Sequence, residues 1–193
     1  MDLALDQATK WLELFGDEIE KNKAYLSDLD TPIGDADHGF NMARGMEAVE
    51  TSLAQKAPAD LAGLFKQTAM ALITKVGGAS GPLYGTAFLE MSKQAAQTSE
   101  LNSLLAAALA GIKKRGGAAA GDKTMVDVWE AVLPELAQGT LTDAKIDEAV
   151  EATKPLIAKK GRASYLGERS KGHIDPGAMS SGYLFKALLK AVA

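Results

Sequence analysis

The chain has 193 residues, 47% of them hydrophobic, with 21 lysines and arginines against 25 aspartates and glutamates and a net charge of −4. This is enough apolar material for one full core, and the negative balance argues against nucleic acid and anionic membrane surfaces as partners. The absence of cysteine excludes disulfides and thiol chemistry. The acidic start Met1-Asp2-Leu3-Ala4-Leu5-Asp6 lacks a signal-peptide n-region. No apolar run approaches the ~18 residues of a membrane span, so one cytoplasmic domain over residues 1–193 is expected.

Helical periodicity runs through almost the whole chain. Leu5, Ala8, Leu12, Phe15, Ile19, Asn22 and Leu26 step by three and four, one apolar stripe with a single polar interruption. A second helix is predicted from Phe40 to about Ala54, with Met42, Met46, Val49 and Leu53 inward. Pro58 suits the first position of a third, whose inner face reads Leu61, Leu64, Phe65, Thr68, Leu72 and Val76 before Gly77-Gly78 ends it. A fourth runs from Leu83 to Ala96. Ser99 is placed to cap a fifth, with Leu101, Leu105, Ala108 and Ile112, stopped by Gly116-Gly117. Asp122 is placed to cap a sixth, with Met125, Val128, Val132 and Leu136. Thr142 caps a seventh carrying Ile146, Val150 and Ile157, with Pro155 positioned to kink it. The eighth starts near Ala178 and carries Leu184, Leu188 and Val192. No segment alternates with period two, so the fold class is all-α, with short connections making consecutive helices antiparallel neighbours. The exception is the long polar stretch from Gly161 to Gly177, a length that usually signals function.

Four loops can carry chemistry. Asp30-Thr31-Pro32-Ile33-Gly34-Asp35-Ala36-Asp37-His38-Gly39-Phe40-Asn41 holds three carboxylates within eight residues and no lysine or arginine. Singly, Asp37 reads equally as a helix cap and Asp30 as a turn residue. Together, Asp30, Asp35 and Asp37 form an all-oxygen donor set suited to a hard divalent cation. The spacing is not that of an EF-hand: counted from Asp35, position 6 is Phe40 and position 12 is Met46. An open carboxylate site, completed by water and substrate phosphate as Mg²⁺ prefers, is the expectation.

Gly77-Gly78-Ala79-Ser80-Gly81 could be no more than a helix stop and turn. Its three glycines and serine, just before a helix N-terminus, also suit a phosphate. Gly116-Gly117-Ala118-Ala119-Ala120-Gly121-Asp122-Lys123-Thr124 resembles a P-loop with Asp122 inserted before the lysine, but a helix precedes it instead of a strand. It reads as a glycine-rich floor, with Met125 either core or cover for a purine ring. The long loop holds Arg162, Arg169, Lys171, His173 and Asp175-Pro176-Gly177. Arginine suits phosphate, although Arg169 and Lys171 read better as solvated. His38 and His173 make no triad, and no base is placed for a serine nucleophile.

Taken in order, the segments Asp30–Met42, Gly77–Thr86, Gly121–Asp127, Arg162–Ser170 and His173–Ala178 resemble the nucleotide-binding L subunits of bacterial dihydroxyacetone kinases, over residues 1–193. The resemblance implies an antiparallel eight-helix barrel with nucleotide at one end. It implies two Mg²⁺ on Asp30, Asp35 and Asp37, bridging the phosphates of ADP or ATP. It implies nucleotide contacts from His38, Gly39, Phe40, Asn41, Gly78, Ala79, Ser80, Leu83, Gly116, Gly121, Met125, Arg162, Asp175, Pro176 and Gly177, with no covalent nucleophile. It further implies a K subunit that binds dihydroxyacetone and a phosphohistidine M subunit of the phosphotransferase system, and it is compatible with a homodimer. Competing readings are an ATP-exchanging kinase subunit for another small ketose, a nucleotide sensor, a fatty-acid kinase domain and a dimetal phosphatase. The Asp-Ala-Asp-His-Gly wording and the lack of a histidine-rich second metal shell weigh against the last two.

Overall fold

The computed structural model describes residues 1–193, folded into eight α-helices and one 3₁₀ segment. The helices are α1 (Leu5–Asp30), α2 (His38–Gln55), α3 (Leu61–Lys75), α4 (Ser80–Ala95), α5 (Leu101–Gly116), α6 (Met125–Ala137), α7 (Asp143–Glu151) and α8 (Pro176–Val192). The 3₁₀ segment, Arg162–Ser170, lies in the long loop where the sequence shows no helical stripe. An isolated antiparallel bridge between Asp2 and Glu100 is the sole β-type pairing. Each helix packs on the next, and α8 returns to pack on α1, which closes the sequence of neighbours.

Capping chemistry sets most helix starts, and several fall a residue or two from the expected place. Asp60, not the turn at Pro58, caps α3 by accepting from the Gly63 N–H at 2.7 Å. Glu100 replaces Ser99 at α5, accepting from the N–H groups of Asn102 and Ser103; the Ser99 hydroxyl bonds Asp2 instead. Thr124 replaces Asp122 at α6, in a reciprocal capping box with Asp127. Asp122 is drawn away by the Ala119 N–H at 2.9 Å and by Lys159. Thr142 caps α7 as expected, but the helix stops at Glu151, so Ile157 lies beyond it and Pro155 kinks nothing. Asp175 caps α8 with Pro176 in its first turn, two residues before the expected start. Likewise α2 and α4 begin at His38 and Ser80, earlier than Phe40 and Leu83.

The core is one cluster of 41 buried residues shared by all eight helices. Trp11 sits at its centre, fully buried, its ring near Phe65 and Phe88 and its indole N–H donating to the Leu184 carbonyl at 2.8 Å. Trp129 stacks edge-on to Phe185 at 4.9 Å. These aromatic contacts tie α1 to α3, α4 and α8, and α6 to α8. No buried side-chain nitrogen or oxygen lacks a partner, as expected of a core whose polar atoms would otherwise lose hydration uncompensated.

The register that positions the functional end depends on close approach between α1 and α2. A Cβ on Gly39 would lie 1.9 Å from the Lys23 carbonyl oxygen, and the Gly39 N–H donates to the Ser27 hydroxyl at 3.1 Å. The obstacle is backbone, which cannot rotate aside. Gly39→Ala is therefore expected to lower unfolding free energy by roughly 2–3 kcal/mol, the usual cost of forcing an extra carbon into a packed contact. Urea denaturation followed by circular dichroism checks this, and unchanged stability would mean the two helices do not approach so closely.

Candidate functional site

The alternation of helix directions brings four loops to one end of the molecule: 31–37, 76–79, 117–124 and 152–175. They surround a cavity of about 480 Å³. The first residues of α2, α4, α6 and α8, namely His38, Ser80, Met125 and Pro176, all line it. Four helix N-termini thus turn the positive ends of their dipoles towards one space, an arrangement that favours anions.

The acidic loop forms one wall. One carboxylate oxygen from each of Asp30, Asp35 and Asp37 lies within 4.8 Å of the others. Asp30, at the buried end of α1, organises the loop. Its carbonyl accepts from the N–H groups of Ile33 at 3.1 Å and Gly34 at 2.6 Å, and its carboxylate accepts from the Asp37 N–H at 3.1 Å. A Cβ on Gly34 would lie 1.9 Å from the Asp30 carboxylate, so any larger residue there would displace that side chain from its place in the loop. Ala36 adopts a left-handed backbone with φ of 62°, which lets the chain turn between Asp35 and Asp37. Asp37 stands at the cap position of α2, yet its side chain makes no capping bond, so the carboxylate is free for another partner. Burial pushes the Asp30 carboxyl above its ordinary range, the Asp37 N–H pulls it back, and the neighbouring Asp35 charge raises it further. The one side-chain cation paired with the cluster comes from across the cavity: the Arg162 guanidinium lies 3.0 Å from Asp35. An all-carboxylate donor set this compact fits a hard divalent cation and no softer metal.

His38 connects this wall to the glycine turn. Its ring is buried between Ser80, 3.0 Å from Nδ1, and Ser180, 3.0 Å from Nε2. Ser180 continues to Tyr84 at 2.8 Å, Tyr84 to Ser181 at 3.0 Å, and the Trp129 indole to Ser181 at 3.1 Å. Indole N–H can only donate, so Ser181 accepts it and donates to Tyr84, and Tyr84 donates to Ser180. Ser180 donates to the Gly177 carbonyl at 3.1 Å. His38 then donates from Nε2, and the Ser80 hydroxyl donates to Nδ1. Burial lowers the His38 pKa to about 4, which keeps the ring neutral and suited to these roles. Asn41 is fixed by Arg44, which also donates to the Lys75 carbonyl at 3.0 Å.

The opposite wall is the glycine floor and the long loop. Leu83, Ile112, Ala118 and Met125 give it an apolar surface beside Gly116. Lys123 is fully buried, with φ of 60°. Its ammonium donates to the carbonyls of Thr153 at 2.6 Å, Lys154 at 3.4 Å and His173. The Thr153 hydroxyl in turn accepts from the Asp175 N–H at 3.2 Å. One side chain therefore fastens both ends of the 152–175 loop to the floor. The P-loop likeness set aside on sequence grounds is absent from the structure as well: Lys123 is a tether whose ammonium is held by backbone carbonyls.

Of the expected site residues, Asp30, Asp35, Asp37, His38, Asn41, Gly78, Ala79, Ser80, Leu83, Gly116, Met125, Arg162, Asp175, Pro176 and Gly177 line the one cavity. Gly39, Phe40 and Gly121 do not. Gly39 is spent on helix contact, Phe40 points outward and is half exposed, and the Gly121 N–H serves Asp127. Gly34, Arg115 and Lys160 line the cavity without having been singled out, and so does Lys123, set aside with the P-loop likeness. Gly34 lies inside the acidic motif, whereas nothing in residue type or spacing marks Arg115 or Lys160.

Asp175 provides a test of the electrostatics. Burial pushes its pKa up to about 7, opposed by the Ala178 N–H it caps and by Lys123. A pKa raised on folding means that stability is fully present at acid pH and is lost as pH rises towards and through 7. Asn caps a helix as well as Asp and carries no charge. Ligand-free Asp175→Asn should therefore match the wild type near pH 4 and exceed it at pH 8, by on the order of 2 kcal/mol. Thermal melts across that range check this, and a pH-independent difference would contradict the shift.

Comparison with known proteins bears on this geometry. The DAK2 domain model matches residues 32–190. The chain is 53% identical, over 96% of both sequences, to "PEP-dependent dihydroxyacetone kinase 1, ADP-binding subunit DhaL" of Listeria innocua. It is 52% identical to the "PTS-dependent dihydroxyacetone kinase, ADP-binding subunit DhaL" of Lactococcus lactis, over 99% of this chain and all of that one. Among solved structures, the dihydroxyacetone kinase of C. freundii in complex with AMP-PNP and Mg²⁺ superposes with a TM-score of 0.77 and 28% identity, covering 98% of this chain and 34% of that one.

Proposed function

The chain belongs to the DAK2-domain family, and on that premise we propose that it is the ADP-binding subunit of a phosphotransferase-system-dependent dihydroxyacetone kinase, working in the cytoplasm. ADP stays bound, a phosphohistidine M subunit rephosphorylates it to ATP, and the ATP donates to dihydroxyacetone held by a separate K subunit. The observation that carries this reading is the meeting in one cavity of the acidic triad, the Gly78-Ala79-Ser80 turn and the apolar floor at Leu83 and Met125. A nucleoside diphosphate has the matching order of parts: metal-binding phosphates, then a flat heterocycle.

In this reading Asp30, Asp35 and Asp37 hold two Mg²⁺, whose contribution is to neutralise phosphate charge and orient the transferred group. The charge balance supports two ions. ADP and three carboxylates together carry about −6, which two divalent cations reduce to about −2. The chain's own groups do the positioning. The N-terminus of α4 directs N–H groups at the phosphates, the positive end of the α2 dipole faces them, His38 and Asn41 stand beside them, and the neutral His38 ring fixes Ser80. Leu83, Gly116 and Met125 face the base, while Arg162 and Asp175-Pro176-Gly177 close the loop over it. Phosphoryl transfer needs positioning and charge stabilisation more than a covalent nucleophile, and none is placed here.

Asp35 is partly exposed and its only ion-pair partner is the largely exposed Arg162, so its carboxylate contributes little to stability. Asp35→Asn should keep the circular dichroism and melting profile of the wild type while reducing phosphoryl transfer to dihydroxyacetone at least 100-fold in the reconstituted system. Wild-type turnover by this variant would remove the triad from the chemistry.

A further inference from the structure

The chain's charge is divided between two unlike surfaces. Residues 113–123 and 154–171 contain ten of the 21 lysines and arginines but only two of the 25 acidic residues. This 29-residue fraction carries about +8, and the rest of the chain about −12. The two segments are adjacent. The Lys159 N–H donates to the Asp122 carbonyl at 3.1 Å, and Lys160 Nζ lies 3.8 Å from where a Cβ of Gly117 would stand. Nine of the ten cations are exposed, Lys123 being the buried exception. Lys114, Arg115, Lys160 and Arg169 have no carboxylate within ion-pair distance, so their charge is not spent inside the molecule.

The patch forms a crescent on the rim of the cavity, opposite the acidic wall, with Arg115, Lys160 and Arg162 on its inner edge. Between Arg162 and Arg169 in the 3₁₀ segment stands Tyr165, 87% exposed, the most exposed of the chain's large hydrophobic side chains. An exposed tyrosine in a segment rich in arginine and lysine has the composition of an interface anchor. A phosphoryl group arriving from another protein brings about two negative charges to a mouth that already holds three carboxylates. Some surface must offset that repulsion during approach, and Arg115 and Lys160 are cations of this crescent at the mouth with no carboxylate partner.

We propose that the crescent, with exposed Tyr165, Lys114 and Arg169 outside the cavity lining, is the docking surface for the phosphorylated donor protein, which meets it with an acidic face. This rests on the functional reading above. Electrostatic attraction of this kind acts mainly on the association rate. It also gives the encounter a direction. As the donor's N–P bond breaks and an O–P bond forms at the terminal phosphate of ADP, the freed imidazole takes a proton from solvent. The donor loses about two negative charges and the nucleotide gains one, so the attraction falls on both sides and the spent donor leaves.

The test is the double charge reversal Lys114→Glu/Arg169→Glu, compared with Lys114→Arg/Arg169→Lys, in the full chain loaded with ADP and Mg²⁺. Neither residue lines the cavity. The second-order rate constant for phosphoryl uptake from the phosphohistidine subunit should fall at least tenfold at low ionic strength. The deficit should shrink in 0.5 M salt, where screening acts over roughly 4 Å. ADP affinity and transfer from ATP-loaded chain to the dihydroxyacetone-holding subunit should stay unchanged, and the conservative pair should behave as wild type. An uptake rate equal to that of the wild type overturns the proposal. So does equal slowing of uptake and onward transfer, or preferential binding of a labelled RNA that the reversal abolishes. A wild-type chain that accepts no phosphoryl group from the donor fails earlier, at the functional reading itself.

Discussion

Three carboxylates with oxygens inside 4.8 Å of one another repel strongly unless positive charge joins them, and the architecture of this end of the molecule answers that demand. Asp30 alone is anchored by the backbone, through the Asp37 N–H and the tight turn at Gly34. Asp35 and Asp37 are left without a backbone tether of that kind. Four helix N-termini supply partial positive charge around the same space, and Arg162 reaches across from the long loop. These contributions are oriented dipoles and one exposed guanidinium.

The remainder of the structure holds that arrangement rigid. A closed succession of packed helices fixes the four N-termini relative to each other, and the buried aromatic clusters around Trp11 and Trp129 lock α1, α6 and α8 beneath them. The chain of hydrogen bonds from Trp129 through Ser181, Tyr84 and Ser180 to His38 carries this rigidity to the surface of the cavity. It delivers a neutral imidazole and an oriented Ser80. On the other side, the Lys123 ammonium does comparable work with three carbonyls, at the cost of burying a charge. The loop it tethers carries Arg162 and the 154–171 part of the basic crescent.

Much of this was legible in the sequence, and the boundary has physical causes. Helical periodicity located all eight helices, because each must bury one stripe. Their ends moved by a few residues, because Asp60, Glu100 and Thr124 outcompeted other polar residues nearby as caps. The acidic triad was visible because like charges in a short loop are unexplained by local structure. Gly39 shows the converse: its place in the same motif suggested a ligand contact, whereas its missing Cβ serves the α1–α2 packing. The buried network beyond His38 could not be read, since Tyr84, Ser180 and Ser181 lie far from it in sequence. Nor could the tether at Lys123, whose three acceptors are backbone carbonyls that no side-chain pattern encodes.

The central claim is that ADP and two Mg²⁺ form one resident cofactor in this cavity. Native mass spectrometry of the purified, gel-filtered chain tests it directly. The account predicts a mass increment of one ADP plus two Mg²⁺ that survives buffer exchange and is lost on chelation. A bare polypeptide that takes up nucleotide only when ATP is supplied would contradict it.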